Sequence, residues 1–302
     1  MPLISILIRS LLKLLSLLPF AVLYLIADFA AFMLHHVVRY RRAVILDNLQ
    51  KCFPSKTEDE IHKIMAGFYQ NLADISVESL KMLSISPEKL EARLELVGFE
   101  EALSFRKKNR SMVCIVAHLS NWEYGAATGF ALKQIGDVKP YTIYKRLRNP
   151  VFDRLLQDSR KRFGFDLLEM AEVDEFYKTQ SRRGLLESSP NFNVFIADQT
   201  PSDPRRSHWI TFMGRQTPVF GGPELLARRY NLPVIFGAIT RIKRGHYRIK
   251  LETLVVDSRL TERGEITRMH TNYLENLIYE HPADWLWSHK RWKFEPAAPT
   301  GS

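Results

Sequence analysis

His118 and Glu123 stand five positions apart in the stretch "CIVAHLSNWEYG", residues 114–125. Histidine is the side chain whose ordinary pKa lets it take a proton near neutral pH. A carboxylate beside its second nitrogen fixes the tautomer and stabilises the imidazolium that forms. The apolar run "VCIVA" before His118 predicts a buried strand, and a helix is predicted from Trp122 onward. A histidine at a strand end and a glutamate about one helical turn later can then lie side by side. The chemistry expected is direct: His118 deprotonates an acceptor hydroxyl, and Glu123 orients and stabilises the ring. The spacing does not fit the zinc motif H-E-x-x-H, and no second histidine or cysteine nearby completes a metal site. No serine occupies a G-x-S-x-G elbow, which argues against a serine esterase. No metal and no cofactor are therefore expected.

The H-x-x-x-x-[DE] spacing is common by itself, and its setting adds specificity. Asp198 follows the apolar run "FNVFIA", as His118 follows "VCIVA". Arg205 and Arg206 come soon after, and "YKRLRNP" supplies Lys145, Arg146 and Arg148. Paired guanidinium groups suit bidentate contacts to phosphate. Lys145, Asp198, Arg205, Arg206 and Arg148 are the expected substrate-binding residues.

These residues need a scaffold. "SMVCIVAH", "VKPYTIY", "FNVFIAD" and "LPVIFGAIT" are short runs rich in Val, Ile and Phe. Amphipathic segments separate them, at 122–132, 149–163, 173–187 and 223–230. Such alternation predicts an α/β fold, with a mainly parallel central sheet flanked by helices. Ligands in such sheets sit beyond the carboxyl ends of the strands, where His118 and Asp198 are expected. "YRIKLETLVV" alternates with period two and predicts a half-exposed edge strand. Upstream, "RRAVILDNLQKCFP" predicts a helix ending at Pro54. Thr57 with Glu60 predicts a capping box, and Ser86-Pro87 an N-cap and first helical position.

The N-terminus is of another kind. Residues 14–34, "LLSLLPFAVLYLIADFAAFML", are almost continuously apolar, with Asp28 the one charge and Pro19 the one helix breaker. Arg9 and Lys13 precede the stretch; Arg39, Arg41 and Arg42 follow it. Its length approaches that of a bilayer core. A cleaved signal peptide and a buried soluble helix are weaker alternatives. An N-terminal membrane-anchor helix over residues 1–40 is expected, followed by a catalytic domain over 41–295 and a flexible tail over 296–302. Whether the anchor spans the bilayer or lies in one leaflet stays open at this level, because basic flanks suit both.

Lysine and arginine total 43 against 33 acidic residues, a net charge of +10. That balance favours polyanionic partners. Neither a recognition helix nor a base-stacking motif points to nucleic acid. Two cysteines, Cys52 and Cys114, make neither a disulfide framework nor a zinc cluster.

"AHLSNWE", "IYKRLRNP", "DQTPSDPRR", "FMGRQTPVFGGP" and "WLWSHKRWK", in this order, resemble the bacterial lipid A biosynthesis (late) acyltransferase family of the lysophospholipid acyltransferase superfamily. The resemblance covers nearly the whole chain. It implies transfer of a fatty acyl chain from acyl carrier protein to a hydroxyl of a phosphorylated glycolipid acceptor, a lipid A precursor. It also implies work at the cytoplasmic face of the bacterial inner membrane through an HX4E dyad. His118 matches the family's base, Glu123 its acidic partner and Asp198 the aspartate after the F-x-x-D strand. Lys145 falls where many members carry arginine, and "DQTPSDPRR" departs from the commoner "DQDYG" texture. Both departures lie near the expected acceptor site. They keep open a sibling activity on a lysophospholipid or aminolipid, and a non-catalytic membrane-tethered protein is a third possibility. Cys114 is expected in the core. Trp285, Trp287 and Trp292 are expected to pack the C-terminal segment onto the sheet rather than form an interfacial belt, and Trp122 to pack rather than touch substrate. His289, Lys290 and Arg291 are expected to form a solvated basic end.

Overall fold

The computed structural model describes residues 3–134, 138–147 and 149–295; the expected tail, 296–302, lies outside them. Pro19 divides the apolar N-terminus. Helix α1 (Leu3–Ser16) ends before it, and α2 (Phe20–Phe32) begins after it and continues through a π turn, Met33–Val37. Next come α3 (Arg42–Cys52) and the long α4 (Glu58–Lys81). The capping box of α4 forms as expected: the Thr57 side chain accepts from the Glu60 backbone, and the Glu60 carboxylate accepts from the Thr57 backbone at 2.8 Å. α5 (Pro87–Glu91) starts at the expected Ser86 cap with Pro87 at its first position.

The α/β body follows: β1 (Leu94–Val97), α6 (Phe99–Lys107), β2 (Met112–Val116), a 3-10 turn Trp122–Ala127, α7 (Thr128–Gln134), β3 (Lys139–Tyr144) and α8 (Pro150–Arg162). Then come β4 (Asp166–Glu169), α9 (Val173–Arg182), α10 (Leu185–Ser188), β5 (Asn191–Ile196), β6 (His208–Phe212) and β7 (Arg215–Val219). The chain closes with α11 (Gly222–Tyr230), β8 (Val234–Lys243), β9 (His246–Val255) and α12 (Glu265–Glu280). Seven strands form one sheet in the order β1-β9-β8-β2-β5-β3-β4, and every pairing is parallel except β8 with β9. β6 and β7 make a separate antiparallel hairpin whose turn residues Met213 and Gly214 have φ of 52° and 72°. That conformation needs a residue free of Cβ conflict at its second position, which glycine supplies.

The mainly parallel sheet agrees with the sequence pattern. β9 differs: it is an inner strand, because β1 pairs along its outer side, Leu94 opposite Tyr247. Its period-two burial is real, with Tyr247, Ile249 and Leu251 inside. Alternation reports a half-exposed face and not a free edge. Two cores flank the sheet. Val113, Ile115 and Ala117 face one; Met112 and Cys114 face the other. Cys114 is a core residue, 1% exposed.

A smaller cluster joins the N-terminal unit to the body. Leu23, Ala27 and Ala31 share one face of α2 and pack on Ala73 and Val77 of α4. Among the described residues one helical run, Phe20–Val37, is long and apolar enough to cross a membrane.

Candidate active site

β2 and β5 are neighbours in register, Val116 opposite Ile196. His118 and Asp198 each lie two residues past those ends, so the sheet brings them together. His118 Nδ1 is 2.7 Å from Asp198 Oδ1, and the His118 backbone N–H donates to Asp198 Oδ2 at 3.0 Å. The Trp285 indole N–H donates to the same Oδ2 at 2.9 Å. Asp198 is therefore fully engaged and buried, with its side chain 3% exposed against 16% for His118.

The electrostatics follow from this contact. Burial alone would push the His118 pKa down. The Asp198 charge and hydrogen bond outweigh it, Glu123 adds to them, and the ring's pKa is raised. Burial would raise Asp198, but the His118 charge and the donated hydrogen bonds lower it to about 2. With Nδ1–H given to Asp198, Nε2 is the nitrogen left to take a proton. Gln199 Nε2 sits 3.3 Å from it, a contact that fits an amide N–H donating to an unprotonated ring nitrogen.

The sequence pattern paired Glu123 with His118, and the structure corrects this. Glu123 is held by Arg160 of α8, whose Nη2 reaches Oε1 at 3.0 Å and whose Nε reaches Oε2 at 3.2 Å. The Trp122 indole N–H donates to Glu123 Oε1 at 3.0 Å. The reason is local. The chain leaves His118 through Ser120, whose φ is 47°, and turns into a 3-10 turn capped by Asn121. That path aims Glu123 at α8. The carboxylate bonded to the ring comes from the neighbouring strand, so Asp198, expected to bind substrate, sits behind the histidine. The Glu123 charge contributes to the raised pKa of His118 from its place against Arg160.

The loop is clamped from below. Ser120 Oγ donates to Asp284 Oδ2 at 2.7 Å, and its backbone N–H donates to the Asp284 carbonyl at 2.9 Å. Leu119 bridges to Trp285. Asn121 Nδ2 donates to the buried Glu78 Oε2 at 2.6 Å, which also accepts from Tyr247 at 2.7 Å. Burial holds the Glu78 carboxyl above its ordinary range, against the opposing pull of those donors.

Beside the histidine a narrow pocket of about 50 Å³ runs between the sheet and the 3-10 turn. Its lining is largely apolar, including Val116, Phe165 and Ile239, with Glu123 and Arg160 as its charged members. The His118 and Trp122 ring centroids are 5.0 Å apart, edge to face, so Trp122 packs on the imidazole and also lines the pocket.

An imidazole just past a strand end, a buried carboxylate behind it and a largely apolar pocket beside it thus lie together at the carboxyl edge of the sheet. Compared with known families, residues 3–294 match the model for "bacterial lipid A biosynthesis acyltransferase". The chain belongs to that family. It is similar to the lipid A biosynthesis lauroyltransferase of Escherichia coli (strain K12), 21% identical over 283 residues, 92% of this chain and 88% of that protein. It is 22% identical over 252 residues to lipid A biosynthesis acyltransferase 2 of Shigella flexneri, covering 82% of this chain and 75% of that one. The lipid A biosynthesis myristoyltransferase of Escherichia coli (strain K12) is 27% identical over 124 residues, 41% of this chain and 36% of its own length.

The remaining expected contacts of this acyltransferase are scattered. Lys145 is exposed just past β3. Arg205 is exposed and pairs with Asp203 at 3.0 Å. Arg206 lies in the same 3-10 turn, Pro204–Arg206, with its side chain outside the described residues, and Arg148 is outside them altogether. The basic end expected at 289–291 is not solvated throughout. Arg291 is 2% exposed and donates to the Pro218 carbonyl at 2.8 Å, and burial lowers its pKa to about 10. His289 accepts from the Thr200 backbone N–H at 3.1 Å, and burial lowers it to about 4. Trp285 and Trp287 are buried, as the packing expectation had it.

Sequence reasoning missed Arg160 and Trp285 as parts of the site. Arg160 carried no signal in its spacing: nine residues on from the buried Val151, at about 100° per residue, periodicity puts it on the opposite side of the helix. Trp285 carried none, since its indole looks the same in sequence whether it packs or donates.

Proposed function

We propose that the chain is a membrane-bound O-acyltransferase that moves a fatty acyl chain from an acyl carrier protein thioester to a hydroxyl of a lipid A precursor. The His118–Asp198 contact beside an apolar cavity carries this proposal. His118 Nε2 takes the proton of the acceptor hydroxyl as its oxygen attacks the thioester carbonyl. The tetrahedral intermediate collapses with loss of the C–S bond, and the leaving thiolate recovers the proton from the imidazolium. The products are the new ester and free thiol. Asp198 fixes the tautomer and stabilises the imidazolium. The Glu123–Arg160 pair shapes the field in the cavity, and the cavity takes the acyl chain.

Lys145 and the arginines after Asp198 are the proposed phosphate contacts, with a net charge of +10 suiting both an acidic carrier and a phosphorylated lipid. The proposed location is the inner membrane, with the catalytic body on the cytoplasmic face.

The test uses membranes containing the protein or His118→Ala, labelled acyl carrier protein thioester, and three acceptors: a tetra-acylated lipid A precursor, a lysophospholipid and an aminolipid. Label should move to the lipid A precursor and stop with His118→Ala. Transfer only to another lipid would retire the acceptor assignment, and an active His118→Ala enzyme would retire the mechanism.

A further inference from the structure

The apolar N-terminus is held by the catalytic body at several points from Arg9 to Arg41. Midway along α1, Arg9 pairs with Asp158 of α8 at 3.1 Å. At its end, Lys81 Nζ of α4 donates to the Ser16 carbonyl at 2.9 Å and the Leu18 carbonyl at 2.8 Å. α2 then runs antiparallel to α4. Tyr24 donates to Glu78 at 2.9 Å, and Asp28 accepts from Gln70 at 2.9 Å and pairs with Arg244 at the β8–β9 turn. Arg244 also pairs with the buried Asp74 of α4 at 2.6 Å. Beyond the π turn, Tyr69 donates to the Tyr40 carbonyl and Arg41 to the Ser288 carbonyl, both at 2.8 Å.

Only one side of α2 is covered by these contacts. Leu23, Ala27 and Ala31 are buried against α4. The opposite side carries Val22, Leu25, Ile26, Phe29 and Phe32, with Leu25 69% and Phe29 67% exposed. On α1, Leu7, Leu11 and Leu14 are exposed as well. The run Phe20–Val37 is about 27 Å long at 1.5 Å per residue, close to the ~30 Å of a bilayer core. If it crossed that core, α4 and the β8–β9 turn would have to cross beside it, carrying Asp74, Glu78, Arg241 and Arg244. Each charge at bilayer depth costs at least ~2.5 kcal/mol. The segments at both ends of α2 are bonded to the same helix of the catalytic body, α4.

We infer that α1 and α2 lie in the plane of a single leaflet, as a docking face for a bilayer rich in anionic lipid. Lys13, Arg39, Arg41 and Arg42 border the apolar face, with Lys89 and Arg93 near its α1–α2 bend, where Arg93 stacks on the Phe20 ring at 3.6 Å. Apolar side chains enter the acyl region and the basic rim meets acidic headgroups. The N-terminus stays on the side of the catalytic body. This rests on the proposed membrane-bound acyltransferase but fixes a feature that activity alone leaves open.

The experiment places one epitope tag at the N-terminus and another at the C-terminus of the full chain. Sealed inverted inner-membrane vesicles and right-side-out spheroplasts are treated with an impermeant protease, and acyl transfer is assayed on the same vesicles. Both tags should be cleaved in inverted vesicles and both protected in spheroplasts. Cleavage of the two tags from opposite sides would overturn the in-plane assignment; transfer activity in those vesicles would show that the enzyme assignment survives it. Release of the whole chain into the soluble fraction would overturn the leaflet face itself. Purified protein should also bind phosphatidylglycerol-containing vesicles at least about ten-fold more tightly than phosphatidylcholine vesicles at low salt. Equal binding would overturn the anionic rim.

Discussion

The His118 ring and the Asp198 carboxylate meet at 2.7 Å although eighty positions separate them in the chain. The contact sets the ring's tautomer, leaves Nε2 unprotonated and raises the pKa of the ring. The consequences for rate and stability can be measured separately.

In the proposed mechanism His118 is the base and must be neutral, so activity should fall as pH drops through its raised pKa. Asp198→Asn removes the charge that raises it, and burial then dominates. The acid limb of kcat/KM should move to lower pH, and kcat should fall by about 10²–10⁴, the range of a lost acid–base contribution. A pH profile of both enzymes checks this; an unmoved limb would mean that another group titrates there.

The same pair should shape acid stability. Asp198 is held at about 2, below its ordinary 3.8. A lowered carboxyl pKa stabilises the fold above the ordinary value, and that contribution is lost as pH falls from about 4 to about 2. His118, being raised, contributes below its ordinary value and loses that contribution as pH rises through the raised one. Thermal midpoints between pH 5 and 2 should drop more steeply for the wild type than for Asp198→Asn.

Arg160→Ala leaves Glu123 half-enclosed without its guanidinium partner. Removing one partner of a buried pair costs on the order of 3–5 kcal/mol, which denaturant titration would read. Arg160→Lys keeps the charge but not the two-point grip, so it should recover part of the stability and little of the activity. Full activity in Arg160→Ala would remove the pair from the site.

Trp285→Phe keeps a ring in the core and deletes one N–H donated to Asp198. Hydrogen bonds to charged groups contribute about 1.5–3 kcal/mol. Asp198 should become easier to protonate and kcat should fall, with KM for the donor unchanged. A change in KM alone would mean that Trp285 serves binding.

Gly237 of β8 lines the cavity, and a Cβ there would lie 2.9 Å from Val116 Cγ1 and 3.2 Å from Cys114 Sγ. Gly237→Val should fill the interior and turn donor preference toward shorter acyl chains. A methylene in an apolar pocket is worth about 1–3 kcal/mol, so the shift should reach about ten-fold. A donor series of graded chain length reads it, and an unchanged preference would place the chain elsewhere.

Local pattern determined a good part of this protein. The runs ending at His118 and Asp198 mark buried strands because their residues are apolar on both faces, and a parallel sheet buries both. Thr57–Glu60 and Ser86–Pro87 mark helix starts because a cap is made by residues three or fewer apart. β1, β4 and the β6–β7 hairpin were not legible, being four or five residues long with mixed burial and no run to betray them.

Partnership was decided by the tertiary structure. Sequence places His118 and Asp198 each at a strand end, but only the order of strands makes β2 and β5 neighbours. Sequence places Glu123 one turn from His118, but the left-handed backbone at Ser120, held by Asp284, turns it toward Arg160. Residues 14–34 announce an apolar helix whichever way it lies. Its orientation comes from Asp28, Tyr24 and Lys81 meeting partners more than forty positions away. Periodicity records which side of a segment avoids water; which side chain meets which is settled by packing between distant segments, and neighbouring residues carry no record of it.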